Sequence, residues 1–401
     1  MCERYYDFSK RTVRFGTEQF PRHSEASIIE KNDGGLLMAW QHHTKAVVAD
    51  CGDQLPSDIS IAESYDEGKT WINERVVADM KHGCVNVYSP SFLRNLDGSI
   101  SLYFMRYMRL EKGKPALNNY YRITSFDEGV TWSEEETMWE LSEYVAMNHC
   151  IKRISDGSAL MPVYGGSSAL FLSRNGSYTV RVLRSEDDFK TWTVSNTLSL
   201  PMLGVMEPCI AERSDGVLNM VMRTQLGSVF YSESYDKGIT WSKPQTTGLR
   251  APESCPCIAA IPGTDAQLVI WNNSEYDMHY RSHYGKRTPL TMAISTDGLK
   301  TFSDFFDIET DPGRAFTNPS VTITSSGLFV LNYWTAKYNK EGIFGIPLDL
   351  KVATFRIRAN ELSRMKEKQR TRFLIVSSLL VCGYFPNLAA TSFIICRMGR
   401  L

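Results

Sequence analysis

Residues 206–223, MEPCIAERSDGVLNMVMR, put a carboxylate and a guanidinium on the two sides of one tight turn. Ser-Asp-Gly-Val at its centre is a hairpin signal: an Asp oxygen bonds backbone N–H groups just ahead of it, and Gly takes the positive φ that the turn needs. Folding there brings Glu207, at the start of one strand, to the same mouth as Arg223, at the end of the next. A carboxylate can move a proton, and a guanidinium can grip an anionic ligand through forked, charge-assisted hydrogen bonds. An ion pair across a surface hairpin has the same spacing. SISLYFMR ends on Arg106 as LNMVMR ends on Arg223, which makes Arg106 a second candidate, the plainer alternative being a solvated side chain. Arg287, in GKRTPL, stands just ahead of another strand pattern and is a third.

The elements that must position these side chains are repeated. SYDEGKTW, SFDEGVTW, SEDDFKTW, SYDKGITW and STDGLKTF recur with Asp at 66, 127, 187, 236 and 297, in steps of 61, 60, 49 and 61 residues. A recurrence at that period marks repeated supersecondary units. Each copy has the makings of a turn, with Ser and Asp as acceptors and a Thr-Trp, or Thr-Phe in the last, that suits the start of a strand. Between the copies lie short runs rich in β-branched and aromatic residues, such as GLLMAW and SISLYFMRY, broken by Asp-Gly turns. The unit reads strand, turn, strand, loop, strand, Asp turn, strand. Four antiparallel strands at this period describe a propeller blade. Units begin near Ser24, Pro90, Cys150, Pro208, Pro256 and Pro319, so the expected fold is an all-β, six-bladed β-propeller over residues 20–358, with 1–19 as a leading segment.

Composition narrows the possibilities. A formal net charge of −1 points to neither nucleic acid nor an anionic membrane, and 43% hydrophobic residues suffice for a large core. The nine Cys show no zinc-type spacing, and Cys255-Pro-Cys257 is the one close pair; no metal or cofactor is expected. MCERYYDFSKRTVRF does not read as a signal peptide. Residues 359–401 break the pattern, because 373–396 carry no charge and follow the basic KEKQRTR. That stretch is long enough for a membrane anchor, though Pro386-Asn387 interrupts it, and a helix packed on the propeller or a tail foreign to the ancestral domain are the other options.

RHSEASIIEKNDGGLLMAW, NVYSPSFLRNLDGSISLYFMR, MEPCIAERSDGVLNMVMRTQLGS, ESCPCIAAIPG and GKRTPLTMAISTDG, together with the Asp boxes, resemble the bacterial-type sialidase-like proteins with BNR/Asp-box repeats. The resemblance covers about residues 20–358. It implies an exo-acting glycosidase that removes a terminal sialic acid or related acidic sugar from glycans. Several Arg would hold the sugar carboxylate, an Asp would act as acid/base, and a Tyr activated by a Glu would be the nucleophile. Carried onto this chain, Glu207 is the catalytic Glu, and Arg223, Arg287 and Arg22 bind substrate, with Arg106 as a further candidate. Arg22 is followed by His23-Ser24 rather than the family's Ile-Pro. The acid falls in the loop before the first box, where Asp53 fits best among Asp50, Asp53 and Asp58, and Glu25 is a rival beside the mouth. His23 and His149 could bond sugar hydroxyls. Phe316 stands near the expected Tyr position, leaving Tyr333, or else Tyr284, as the nucleophile.

Other functions fit the same residues. A propeller can keep its sugar site and lose catalysis, as Phe316 permits, or cleave another sugar through its carboxylates. A protein-interaction propeller would not need converging Arg and carboxylates. Fold alone does not choose among them.

Overall fold

The computed structural model describes residues 4–44, 55–109, 117–165, 177–280 and 283–358, and these contain strands, turns and loops but no helix. Three sheets are plain four-stranded antiparallel meanders. They run Asn86–Arg94, Ile100–Arg109, Leu117–Ser125, Glu136–Ser142; then Met206–Glu212, Leu218–Arg223, Ser228–Ser234, Gln245–Arg250; then Cys257–Ala260, Gln267–Asn272, Leu290–Ser295, Ser303–Glu309. A fourth is built on Ala159–Gly165, whose one edge takes both Tyr144–Ala146 and Lys152–Arg153.

The largest sheet has eight strands. One half is the meander from Arg22–Glu30 to Ile72–Ala78; the other is Arg314–Ile323, Phe329–Tyr338 and Phe344–Ile357. Residues Tyr5–Arg14, which stand apart from the repeats in sequence, pair antiparallel with Phe344–Ile357. The halves meet through a single parallel pairing, Arg22 with Leu348. Five hydrogen-bonded sheets are therefore present among the described residues, and a count of six units rests on dividing the largest at that pairing.

Alternate side chains on each sheet face the next sheet in the chain. Leu37, Ala39, Ile59 and Ile61 pack on Phe92, Ile100, Leu102 and Phe104. Ala26, Leu36, Met38 and Trp40 pack on Val330, Leu350 and Val352, which closes the first half of the large sheet onto the last. The first strand of every unit reaches a common axis. A cavity of about 520 Å³ is lined from all of them, by Ile28, Phe92, Lys152, Ile210, Ile258 and Val321 among others.

The Asp boxes form the same turn five times. In the first, Ser64 Oγ donates to Asp66 Oδ1 at 2.9 Å, and Asp66 accepts from the Thr70 N–H and hydroxyl at 2.8 and 2.7 Å. Asp127, Asp187, Asp236 and Asp297 repeat these bonds. Two copies lack Gly at the position where the backbone turns left-handed. Phe189 and Leu299 stand there at φ 61° and 68°, each 2% exposed or less, so apolar burial offsets the backbone strain. Register places the boxes at one end of the strands: Ser64 lies across from Leu36, whereas Arg22 pairs with His43 and His43 with Ser57 at the other.

These turns predict an acid response. Asp66, Asp127 and Asp187 are held down to about 2. The Thr131 hydroxyl leads for Asp127 and the Thr191 N–H for Asp187, while at Asp66 burial pushes upward and Thr70 overrides it. A carboxyl with a depressed native pKa adds stability above its unfolded value near 3.8, and that stability is lost as pH falls toward 2. Circular dichroism from pH 5 to 2 should show Asp127→Asn less stable at neutral pH and less sensitive across that window. Parallel curves for parent and variant would mean the box carboxylate is not coupled to folding.

Candidate active site

A shared irregularity at the ends opposite the boxes builds the site. Register shifts interrupt the first strands between Ser24 and Ser27, Tyr88 and Ser91, Met206 and Cys209, and Thr317 and Ser320. Inside each lies a residue with positive φ: Glu25, Ser89, Glu207 and Asn318, at 41° to 53°. His149 has the same φ at the matching place ahead of Lys152–Arg153. A bulge re-aims a side chain that a regular strand would send to one face or the other. Cys255, two residues before the strand Cys257–Ala260, holds the equivalent place in the fifth unit.

Four of these positions join into one network with three guanidiniums. Glu207 takes two bonds from Arg223 Nη1, at 2.8 and 2.9 Å, and one from the Cys255 thiol at 2.6 Å. Arg223 Nη2 donates to Glu253 Oε1 at 2.5 Å, and Gln225 donates to the other Glu253 oxygen at 2.8 Å. Arg287 donates to Thr317 Oγ1 at 2.5 Å and to the Glu253 carbonyl at 3.1 Å. Thr317 donates to Asn318 Oδ1 at 2.8 Å, Asn318 Nδ2 to Glu25 at 2.6 Å, and Arg22 to the other Glu25 oxygen at 3.2 Å. Trp334 Nε1 also donates to Glu25, at 3.3 Å.

The electrostatics are unequal. Burial would push the Glu207 carboxyl up, but the Arg223 and Arg287 charges and the bonds from Cys255 and Arg223 hold it below the ordinary value. Burial, and then the Glu207 charge, push the Cys255 thiol well above its ordinary value. Arg287 forms no ion pair with a carboxylate among the described residues, and burial followed by the Arg223 charge lowers its pKa. The Nε–H groups of Arg223 and Arg287 are buried and have no acceptor among the described residues. The site thus offers guanidinium donors to an anion, beside a carboxylate that accepts from a thiol.

Of the residues expected from sequence, Arg22, Glu25, Glu207, Arg223 and Arg287 meet here. Arg106 does not. Met206 faces Arg223 across the fourth unit, but in the second unit the matching Tyr88 faces Met105. Arg106 is one residue past that place and so points to the opposite face. There it is fully buried against the Phe104 and Tyr121 rings, with Glu135 bonded to both Nη atoms at 2.9 and 2.7 Å.

Tyr333 is displaced for the same reason. The place matching Arg223 in the last unit is Trp334, across from Thr317. Tyr333, its neighbour, donates to Glu309 Oε1 at 2.7 Å beside Lys351 and Lys10. Phe316 packs edge-on against Tyr333, and Tyr284 stacks on Tyr276. Asn318, two residues beyond Phe316, is the side chain that reaches the network.

His23 accepts from Trp40 Nε1 at 3.1 Å, and burial, with help from His42 and Arg14, lowers its pKa to about 3. His149 is held between Ser27 Oγ and the Val321 carbonyl, both at 3.0 Å. Both imidazoles are held within the protein. Asp58 Oδ1 accepts from the Met80 N–H at 3.1 Å. Asp50 and Asp53, like the stretch 373–396, lie outside the described residues. Glu253, Cys255, Asn318 and Tyr164 were not anticipated. Tyr164 donates only to Met147 Sδ, at 3.8 Å, among described partners, and burial and then the Glu207 charge push its phenol well up.

If the protein turns over a glycoside, Tyr333→Phe should therefore leave that rate unchanged. Its cost should appear in stability, at about 1–3 kcal/mol, because a buried carboxylate loses a donor. Thermal melts and rates on the same preparation test this, and a rate loss without a stability loss would return Tyr333 to the chemistry.

Solved structures with this fold include the NanB sialidase of Streptococcus pneumoniae, with TM-score 0.65 and 12% identity over 84% of this chain and 69% of that one. The leech intramolecular trans-sialidase matches at 0.66 and 15%, over 87% and 70%. A Dyadobacter fermentans protein of unknown function matches at 0.63 and 18%, over 87% of this chain and 99% of that one. At these identities the likeness establishes the fold, an all-β propeller of the sialidase kind. No curated protein matches by sequence. The family model for the BNR repeat-like domain matches residues 32–331, most of the chain, and the protein accordingly belongs to that family, as a sialidase-like BNR-repeat protein.

Proposed function

We propose that the protein is an exo-acting glycoside hydrolase of sialidase type, releasing a terminal sialic acid or related acidic sugar from a glycan. The observation that carries this is the linked set Arg22, Arg223 and Arg287 around Glu207 and Glu25. Arg287 lacks a carboxylate partner among the described residues, and a buried guanidinium in that condition favours an anionic ligand. A sugar carboxylate is such a ligand, and a forked donor holds it in one orientation. The solved neighbours include sialidases and trans-sialidases, which fits this substrate class without assigning it.

A second reading has one observation in its favour. The pit position of the last unit holds Asn318, and Tyr333 is bonded to Glu309, so neither supplies a tyrosine nucleophile at the network. A propeller that binds an acidic sugar without cleaving it would look the same there. Fluorogenic sialosides, glucuronides and neutral aryl glycosides, assayed in parallel with calorimetric binding of the free sugars, separate the two. Hydrolysis of the sialoside supports the first reading. Binding of the sugar acid without hydrolysis of any glycoside supports the second, and neither binding nor hydrolysis rejects both.

A further inference from the structure

We propose that Cys255 is the nucleophile of this site and Glu207 its base, which rests on the glycosidase reading above. Nucleophilic catalysis needs an attacking group within hydrogen-bond reach of a base that a third group orients. The Cys255 thiol lies 2.6 Å from Glu207 Oε2, and Arg223 Nη1 pins both oxygens of that carboxylate. Asn318 Oδ1, 3.4 Å from the sulfur, braces its other side. No other thiol or hydroxyl in the described network bonds to Glu207. Thr317 is tied to Arg287 and Asn318, and Tyr333 to Glu309.

The surroundings point to a ligand as well as to a reactive pair. Arg287 is 3% exposed, and its Nε–H, like that of Arg223, has no acceptor among the described residues. Both guanidinium charges act on the Cys255 sulfur. Two unused donors beside a thiol–carboxylate pair suit a substrate that brings acceptor oxygens next to an electrophilic carbon, as the anomeric carbon of a sugar acid does.

The chemistry balances without an added oxidant or metal. Glu207 takes the thiol proton while sulfur bonds to the anomeric carbon. The bond from that carbon to the leaving oxygen breaks, and the leaving oxygen takes a proton from water, which becomes hydroxide. The sugar is then held as an S-glycoside. In the second half, a water oxygen bonds the anomeric carbon as the carbon–sulfur bond breaks. One of its protons neutralises the hydroxide, the other stays on the sugar hydroxyl, and sulfur recovers its proton from Glu207. Substrate binding helps the first half. A ligand carboxylate competes with Glu207 for the Arg223 donors, and a Glu207 with fewer donors is a stronger base. The resting thiol stays protonated under burial and the Glu207 charge, so general-base assistance is required for attack.

The test uses the whole chain, a 4-methylumbelliferyl sialoside and a 3-fluorosialosyl fluoride, whose ring fluorine slows the second half. Intact mass after the fluoride should rise by one fluorosialosyl group, and peptide mapping should place it on Cys255. Cys255→Ala should lose about a thousandfold or more in kcat, by the scale on which removed nucleophiles act. Cys255→Ser, which keeps the shape of the site, should lose nearly as much, because a hydroxyl is a poorer nucleophile against a weak base. An adduct on Tyr164 or on a carboxylate would overturn the assignment, as would Cys255→Ala or Cys255→Ser turning over within tenfold of the parent. If the parent hydrolyses no glycoside, the glycosidase reading fails and this inference falls with it, whereas hydrolysis with the label elsewhere rejects Cys255 alone.

Discussion

Replacing Arg287 with methionine is expected to weaken binding of an anionic sugar by about a hundredfold while leaving the melting temperature near or above that of the parent. The two effects separate because of what Arg287 touches. It is 3% exposed, donates to Thr317 Oγ1 and the Glu253 carbonyl, and has no carboxylate partner among the described residues. Its pKa is lowered by burial, with the Arg223 charge next. Such a charge is costly to keep in a folded protein, and an apolar isostere often matches or improves stability. Methionine retains most of the volume and makes favourable contact with an aromatic ring, here Phe344, whose centroid lies 5.6 Å from the guanidinium carbon. Binding behaves differently. A charge-assisted hydrogen bond is worth about 1.5–3 kcal/mol, and each 1.4 kcal/mol is tenfold in affinity. Calorimetry on the sugar acid with a thermal melt on the same sample decides it. A large fall in melting temperature would make Arg287 a structural residue, and unchanged affinity would move the anion elsewhere.

Arg287 was visible in sequence because it stands just ahead of a strand in a short motif, and Glu207 and Arg223 because one hairpin brings them together. The Asp boxes were legible for a related reason: every bond in them joins residues within four positions of each other. Local chemistry of that kind leaves its pattern in the text. The rest of the site is assembled across sheets. Cys255 meets Glu207 over 48 residues, Asn318 meets Cys255 over 63, and Asn318 meets Glu25 over 293. No spacing rule reaches that far.

The misplaced residues have a common cause. Four of the first strands carry a bulge just before their Pro or Ala, and a bulge adds one residue to the register without a mark in composition. Matching SLYFMR to LNMVMR by their last residue therefore selected Arg106, where the pairing with Tyr88 belongs to Met105. Counting to Phe316 likewise stopped two residues short of Asn318. Cys255-Pro-Cys257 stood out in the sequence as a close cysteine pair. Its usable signal was alignment with Glu207-Pro208-Cys209 and Asn318-Pro319-Ser320, which makes Cys255 the fifth unit's counterpart of Glu207.

Replacing Glu207 with glutamine should lower turnover by about a hundred- to ten-thousandfold, the usual contribution of a positioned proton-transfer group. Affinity for the anionic sugar should hold or rise. Glu207 occupies both bonds of Arg223 Nη1, and a neutral amide competes for them less strongly than a carboxylate does. The effect therefore belongs to the transition state rather than to ground-state binding, and it should appear in kcat with little change in dissociation constant. The pH profile gives an independent reading. Against the upward push of burial, the Arg223 and Arg287 charges keep the Glu207 carboxyl below its ordinary value of 4.5. It remains ionised, and available as a base, until pH falls below that value, so the acid limb of the parent's rate profile should lie beneath pH 4.5. The stability that Glu207 contributes is present above 4.5 and declines over the same acid range. Glutamine removes both dependences together. An acid limb that persists unchanged in Glu207→Gln would assign proton transfer to another carboxylate, with Glu253, on the same Arg223, the first to examine.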